Sequence, residues 1–292
     1  RTDDGSGLSG MLDGSAGWAE ACVIVPYALY KVTGNPQVLD ENYEMMQRWM
    51  AFAEKRAQKS RWWRILPLKR RREYVVDTGF HWGEWQEPDV SVLKALVKNI
   101  LLGVPETATA YFAYSCCLMT EITGILGKAE DRKKYASLAE RVKKAYRSIA
   151  LKHGEIRSRR QADYVRPIAM GLLTQEEKQK AAETLNQMVI QNDYHLNTGF
   201  LSTPFLCGVL SDCSYRDTAY RLLMQEERPG WLYAVKQGAN TIWESWNGKL
   251  PDGSIQDSLN HYSYGAVVGW LFSGVCGIQM NGSRITISPQ PN

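Results

Sequence analysis

PETATAYFAYSCCLMTEITGILG, residues 105–127, is the stretch on which the fold class turns. It opens on Pro-Glu-Thr, as a helix start does, and runs on as a long apolar helix. Residues 129–151 follow at once and put Tyr135, Leu138, Val142 and Tyr146 on one stripe, with Lys and Arg opposite. That is an amphipathic helix with one buried face. Working outward, residues 19–33 are apolar all round and stop at Gly34. Residues 36–58 begin at Pro36 and carry Val38, Leu39, Tyr43, Met46, Trp49 and Phe52 at helical spacing. Further helices are predicted at 175–191, 199–210, 214–225 and 259–275. Strand alternation is confined to Ser283–Ser288, ahead of Pro289. The bulk is therefore all-α. Long helices in series fit a bundle, a solenoid or an α/α toroid, and the absence of a clean internal repeat weighs against the solenoid.

The 292 residues are 44% apolar and 23% charged, as in globular domains. No run approaches the length of a membrane span, so no membrane partner is expected. Arg1-Thr2-Asp3-Asp4 is polar and shows no signal peptide. A net charge of +4 does not point to nucleic acid. Cys22, Cys116, Cys117, Cys207, Cys213 and Cys276 form no Cys-x-x-Cys and have no histidine at ligand spacing, so neither metal nor a disulfide framework is expected. Cys116 and Cys117 read as core thiols. The compartment, cytoplasm or periplasm, stays open. One run is strongly basic: Lys55, Arg56, Lys59, Arg61, Arg64 and Lys69 to Arg72, interleaved with Trp62 and Trp63. It reads as a solvated insert or as a polyanion groove.

Five of the ten tryptophans, Trp18, Trp82, Trp85, Trp243 and Trp246, fall in loops beside carboxylates. The segments are Asp13–Glu20, Asp77–Trp85, His195–Phe200, Thr241–Gly248 and Asn260–Gly265. In an α/α toroid such loops gather at one end, and Trp18, Trp82, Trp85, Trp243 and Trp246 would rim one cleft. An indole face beside amides, carboxylates and histidines suits a sugar, whose C–H face stacks while its hydroxyls need polar partners. Hydrolysis of a glycosidic bond needs two carboxyl groups. The candidates are Glu244, Glu84, Glu20, Asp13 and Asp77. Glu20 also reads as a helix-dipole partner, and Asp13 and Asp77 as turn residues. Glu244, between two tryptophans, is hard to explain by solubility. His261, in Asn-His-Tyr, is a candidate sugar contact, whereas His153 reads as surface and His195 as a loop residue. Nucleophilic serine, phosphate-loop and dinucleotide motifs are absent, and no cofactor is implied.

These segments resemble the bacterial α-L-rhamnosidases of glycoside hydrolase family seventy-eight. The similarity runs from about residue 13 to the end, through Ala16–Pro26, Gly79–Trp85, Thr198–Pro204, Thr241–Trp246 and Ser258–Tyr262, in the family's order. The resemblance implies an (α/α)6-barrel catalytic domain over residues 1–277, with residues 278–292 opening a C-terminal β-sandwich. It implies metal-free, inverting hydrolysis of terminal rhamnose, with Glu244 as general base. Trp18, Glu20, His81, Trp82, Glu84, Trp85, Trp243, Trp246 and His261 would bind the sugar.

Two departures stand out. The family's aspartates in Trp-Gly-Asp-Ala and Gly-Asp-Trp are glutamates here, in Trp18-Ala19-Glu20-Ala21 and Gly83-Glu84-Trp85. Each extra methylene moves the carboxylate by about 1.5 Å, so a preference for a sugar other than rhamnose stays open. The family's general acid lies in an upstream Asp-Glu-Arg-x-Gly-Trp-type segment that this chain lacks. The chain is therefore expected to be a C-terminal piece of a longer polypeptide, missing the first barrel helices and working with its upstream part. Two other readings stay open: a carbohydrate-binding module without chemistry, and a polyanion-binding helical protein using residues 55–72.

Overall fold

The computed structural model describes residues 13–59, 73–88, 90–250, 252–282 and 284–291. Within these, the chain divides into two compact units. One takes in the residues up to Gly83, then 93–152 and 280–285; the other takes in 84–92, 153–279 and 286 onward.

The first unit is built on the long pair that the sequence announces, α5 (Pro105–Ile125) and α6 (Ala129–Ala150). Helix α5 also packs against α1 (Ala21–Thr33) and α3 (Tyr43–Ala57), which is why it is apolar on nearly every side. Its Ala110, Ala113, Cys116, Met119 and Ile122 are fully buried. The Tyr146 hydroxyl of α6 closes the pair by donating to Glu106 Oε1 at 2.8 Å. Helix α1 stops at Gly34, whose φ of 68° is left-handed and whose N–H returns to Tyr30 O at 2.7 Å.

The helix predicted over 36–58 is two helices, α2 (Gln37–Glu41) and α3. The break is Asn42, at φ −100° and ψ 0°. Its Nδ2 donates to Val38 O at 2.8 Å, so a side chain competes there with the backbone for a helical acceptor. Helix α4 (Val92–Leu102) is not foreseen by the sequence reading. Of the basic run, only Lys55, Arg56 and Lys59 lie within the described residues.

In the second unit α9 (Thr203–Asp212) is central. It packs on α7 (Ala162–Ala169), on α10 (Arg216–Leu223), and on the turn-helix formed by a 3-10 turn at Ser263–Ala266 and α12 (Val267–Trp270). Helix α8 (Gln175–Gln191) starts at a capping box in which Thr174 and Glu177 satisfy each other's backbone N–H groups. Helix α11 is Trp231–Lys236. Leu185, Leu206, Leu210, Leu222, Trp231, Trp246, Tyr264 and Trp270 share this core.

Two predicted helices shorten at the start, from 199 to 203 and from 214 to 216. The helix predicted over 259–275 exists only from 263, and continues past α12 as a π-helical turn at Leu271–Val275. Residues 199–202 and 259–262 are instead spent on the contacts described below. The strands are β1 (Leu151–Lys152), β2 (Glu155–Ile156), β3 (Ile278–Asn281) and β4 (Arg284–Ile287), the last lying within the predicted 283–288. All six cysteines are unbridged, with Cys116 and Cys207 buried.

Candidate functional site

In the second unit the loop after Gly83 is anchored by Glu84. Its Oε1 accepts from Gly199 N at 2.9 Å and Ser202 N at 2.8 Å. Its Oε2 accepts from Ser202 Oγ at 2.9 Å and from Arg166 Nη1. Neither side chain of the Glu84–Arg166 pair has any exposure. Burial pushes the Glu84 carboxyl up; the Arg166 guanidinium and the Ser202 hydroxyl pull it back. Four donors converge on two oxygens, so the carboxylate is the form this pocket accommodates.

The network continues outward. Arg166 Nη2 donates to Asp163 Oδ1 at 2.9 Å, which also accepts from Arg160 Nη1 at 3.2 Å. Arg160 then grips both oxygens of Glu87, at 3.0 and 2.9 Å. Alternating charges thus run from a buried glutamate to a half-buried one, and they hold the Trp85 loop to α7 and to the start of α9. Gly199 sits where the two loops touch: a Cβ there would lie 2.0 Å from Trp85 O, to which Phe200 N donates at 2.9 Å.

Above this anchor lies an aromatic relay. Trp246 stacks on Tyr264 at 4.0 Å and meets Trp231 edge-on at 5.5 Å. Tyr264 meets Phe200 edge-on at 5.3 Å, and Phe200 stacks on His261 at 4.9 Å. The Tyr264 hydroxyl donates to Gln86 O at 2.6 Å, tying the relay to the Trp85 loop. His261 is half-buried. Its Nδ1 accepts from Ser263 N at 3.3 Å, which leaves Nε2 to carry the proton in the neutral ring.

Glu244 is half-buried, between the buried Trp243 and Ser245. Its N donates to Ser258 O at 2.9 Å, and Ser258 N returns a bond to Oε2 at 3.3 Å. His261 N donates to Ile242 O at 2.7 Å, so the Glu244 and His261 segments run side by side.

The first unit carries the other motif loops. His81 is buried; its Nδ1 accepts from Ala16 N at 2.9 Å, and its Nε2 lies 3.1 Å from Thr78 O. Trp82 N donates to Ser15 Oγ at 3.1 Å. Trp18 and Trp82 are half-buried, and Phe80 packs edge-on to Trp82 at 4.9 Å. Glu20 is buried and accepts from Gly17 N at 2.7 Å. Burial lifts its carboxyl to about 7, against its backbone hydrogen bonds and the nearby Arg56. Arg56 itself donates to Gly14 O at 3.2 Å and lies over the Phe52 ring, so it faces inward.

Glu244, Trp85, Trp243, Trp246 and His261 thus fall in one unit, while Trp18, Glu20, His81 and Trp82 fall in the other. Glu20, His81 and Glu84, expected to touch sugar, are buried and hydrogen-bonded to the loops around them. Sequence reasoning missed Arg166 and Trp231, and it did not single out Phe200, Ser202 and Tyr264 within the motif segments that hold them. For Arg166 a signal existed: an arginine flanked by Val165, Pro167 and Ile168 has to be paired if it is buried. Among the described residues no three His, Cys, Asp or Glu side chains are grouped to hold a metal. No helix among them is long and apolar enough to cross a membrane.

Residues 6–275 match the family described as bacterial alpha-L-rhamnosidase 6 hairpin glycosidase domain. An α-L-rhamnosidase of Formosa agariphila is 32% identical over 288 residues, covering 95% of this chain and 29% of the relative. One from Streptomyces avermitilis is 32% identical over 298 residues, covering 99% of this chain and 26% of the relative. The chain therefore spans less than a third of the length of these curated relatives. Among solved structures, a Streptomyces avermitilis α-L-rhamnosidase complexed with L-rhamnose is similar at TM-score 0.81 and 32% identity, over 95% of this chain and 25% of that one. An Aspergillus terreus α-L-rhamnosidase is similar at TM-score 0.79 and 28% identity, over 96% and 32% of the two chains.

Proposed function

Because the chain belongs to the bacterial α-L-rhamnosidase six-hairpin glycosidase family, we propose that it carries the catalytic base of a hydrolase acting on terminal α-L-rhamnose or a related sugar. Its fold is the all-α fold of that family. In the proposed reaction, water attacks the anomeric carbon from the face opposite the leaving group. Its proton passes to Glu244 as the new C–O bond forms. The old C–O bond breaks, and the leaving oxygen takes a proton from a second carboxylic acid, proposed to lie outside this chain. The anomeric configuration inverts.

One observation carries the choice of Glu244. Of the glutamates in the motif loops, Glu20 and Glu84 are buried and committed to neighbours, whereas Glu244 is half-buried. Its backbone is pinned by Ser258, and its side chain accepts a long bond from Ser258 N. A general base needs such a fixed backbone and an oxygen open to water. Trp85, Trp243, Trp246 and His261 are proposed to line the sugar pocket, while Glu84 positions the Trp85 loop.

The test is hydrolysis of p-nitrophenyl α-L-rhamnoside by the intact protein, with the first-formed sugar followed by NMR. Early β-L-rhamnose is expected. An early α-anomer overturns the inverting scheme, and sugar binding without turnover replaces it with a binding module.

A further inference from the structure

In the second unit, two left-handed residues that are not glycine meet: Gln86, at φ 58°, and Asp257, at φ 59°. Gln86 Nε2 donates to Asp257 Oδ2 at 3.2 Å. Such backbone is costly for a residue with a Cβ, and it persists where the surroundings enforce it. They do so on both sides. Glu244 N donates to Ser258 O and Gln256 N donates to Gly248 O, each at 2.9 Å. Between those bonds the chain carries three residues on one side, Ser245 to Asn247, and Asp257 alone on the other. The left-handed turn at Asp257 takes up that mismatch, as in a bulge. On the other side, Gln86 O accepts from the Tyr264 hydroxyl at 2.6 Å, and Trp85 O accepts from Phe200 N at 2.9 Å. Asp257 stands directly before Ser258, whose N donates to Glu244 Oε2 at 3.3 Å. Beyond Ser258 the chain is fixed by Asn260, whose O accepts from Ser258 Oγ at 3.1 Å and whose N donates to it at 3.2 Å. On the near side the hold on Ser258 comes through Asp257.

We infer that Gln86 and Asp257 form a latch that sets the Glu244 carboxylate against the Trp85 loop, and that both are positioning residues for the hydrolysis. The inference rests on the reading of Glu244 as general base. Neither residue has to touch the sugar. A base works only with its oxygen aimed at the attacking water, and a misplacement of about 1 Å costs about a hundredfold in rate. Glu244 Oε2 takes its bond from a backbone N–H whose direction Asp257 sets. Gln86 ties that direction to the loop carrying Trp85. Releasing the latch therefore slows turnover and leaves the aromatic walls of the pocket, and with them substrate affinity, largely as they were.

The experiment measures kcat and KM for p-nitrophenyl α-L-rhamnoside with the intact protein. Gln86 is half-buried and Asp257 exposed, so substitutions there leave the cores untouched, and melting curves confirm that each variant is folded at the assay temperature. Asp257→Ala deletes the acceptor, and Gln86→Glu turns the donor into a second carboxylate facing Asp257. Each should lower kcat at least tenfold with KM within twofold of wild type. Asp257→Asn keeps an acceptor oxygen and tolerates left-handed backbone, so its kcat should stay within threefold. The double variant Gln86→Glu/Asp257→Asn restores the bond with donor and acceptor exchanged, and should recover most of what Gln86→Glu loses. With Glu244→Gln already in place, Asp257→Ala should cost less than a further twofold, because the latch acts through that carboxylate. Single variants within threefold of wild type in kcat, a double variant no faster than Gln86→Glu, or a full tenfold loss added to Glu244→Gln overturns the latch and leaves the activity standing. An inactive wild type fails the activity reading itself and takes the latch's role in hydrolysis with it.

Discussion

Replacing Arg166 with methionine removes the charge paired with Glu84, where neither side chain is exposed. The carboxylate keeps its bonds from Gly199 N, Ser202 N and Ser202 Oγ, but loses its counter-ion. Breaking one side of a buried ion pair costs about 3–5 kcal/mol. Glu84→Gln should cost a similar amount, because an amide NH2 would then meet Arg166 Nη1 and the Ser202 hydroxyl. The double variant removes both charges at once and should cost less than the sum of the singles by about 0.5–3 kcal/mol, the range of direct coupling. Hydrogen exchange reads this locally, because Glu84 is the acceptor for the Gly199 and Ser202 amides. A loss of about 3 kcal/mol speeds their exchange by roughly two orders of magnitude, at about 1.4 kcal/mol per decade. Peptides covering residues 197–205 of the intact protein should show that acceleration in each single variant, and a smaller one in the pair. Single variants that leave exchange within threefold of wild type, or costs that simply add, would refute the anchoring role.

Glu20→Gln should change how stability depends on pH. In the folded protein this carboxyl titrates at about 7 rather than 4.5, so the fold holds its proton longer than the unfolded chain does. Wild-type stability therefore falls as pH rises from about 4.5 through about 7, by about 3 kcal/mol at 1.36 kcal/mol per unit. Melting curves should show the Glu20→Gln variant more stable than wild type at pH 8.5 and level with it near pH 4.5; an equal gap at both would contradict the burial argument. Gly199→Ala places a methyl 2.0 Å from Trp85 O, which forces the two loops apart. It should abolish hydrolysis and expose the Trp85 indole to fluorescence quenching by iodide; wild-type activity would show that the close approach is dispensable.

Much of this is legible in the chain. The α5–α6 pair is, because a helix buried on nearly all sides and one buried on a single stripe each leave a clear periodic record. So are the motif loops, because tryptophan beside carboxylate is rare without a task. The break at Asn42 is not, since only its side-chain bond to Val38 O interrupts an otherwise continuous pattern. Periodicity places the starts of α9 and of the 263–275 segment too early; Phe200, for example, is an apolar residue that serves a loop contact with Tyr264 and His261, which periodicity cannot separate from helix packing. The division of labour among the glutamates is hidden altogether. Glu84 and Glu244 share the same tryptophan-flanked look, and what separates them is an arginine 82 residues away in sequence from the first.

Glu244→Gln in the intact protein tests the central claim most directly. The half-buried side chain keeps its size and its bond from Ser258 N, so folding should be preserved, as circular dichroism and the melting curve would report. Loss of a general base lowers the rate by about 10²–10⁴, so kcat for p-nitrophenyl α-L-rhamnoside should drop at least a hundredfold while the protein still binds L-rhamnose. Turnover within tenfold of wild type would contradict the account.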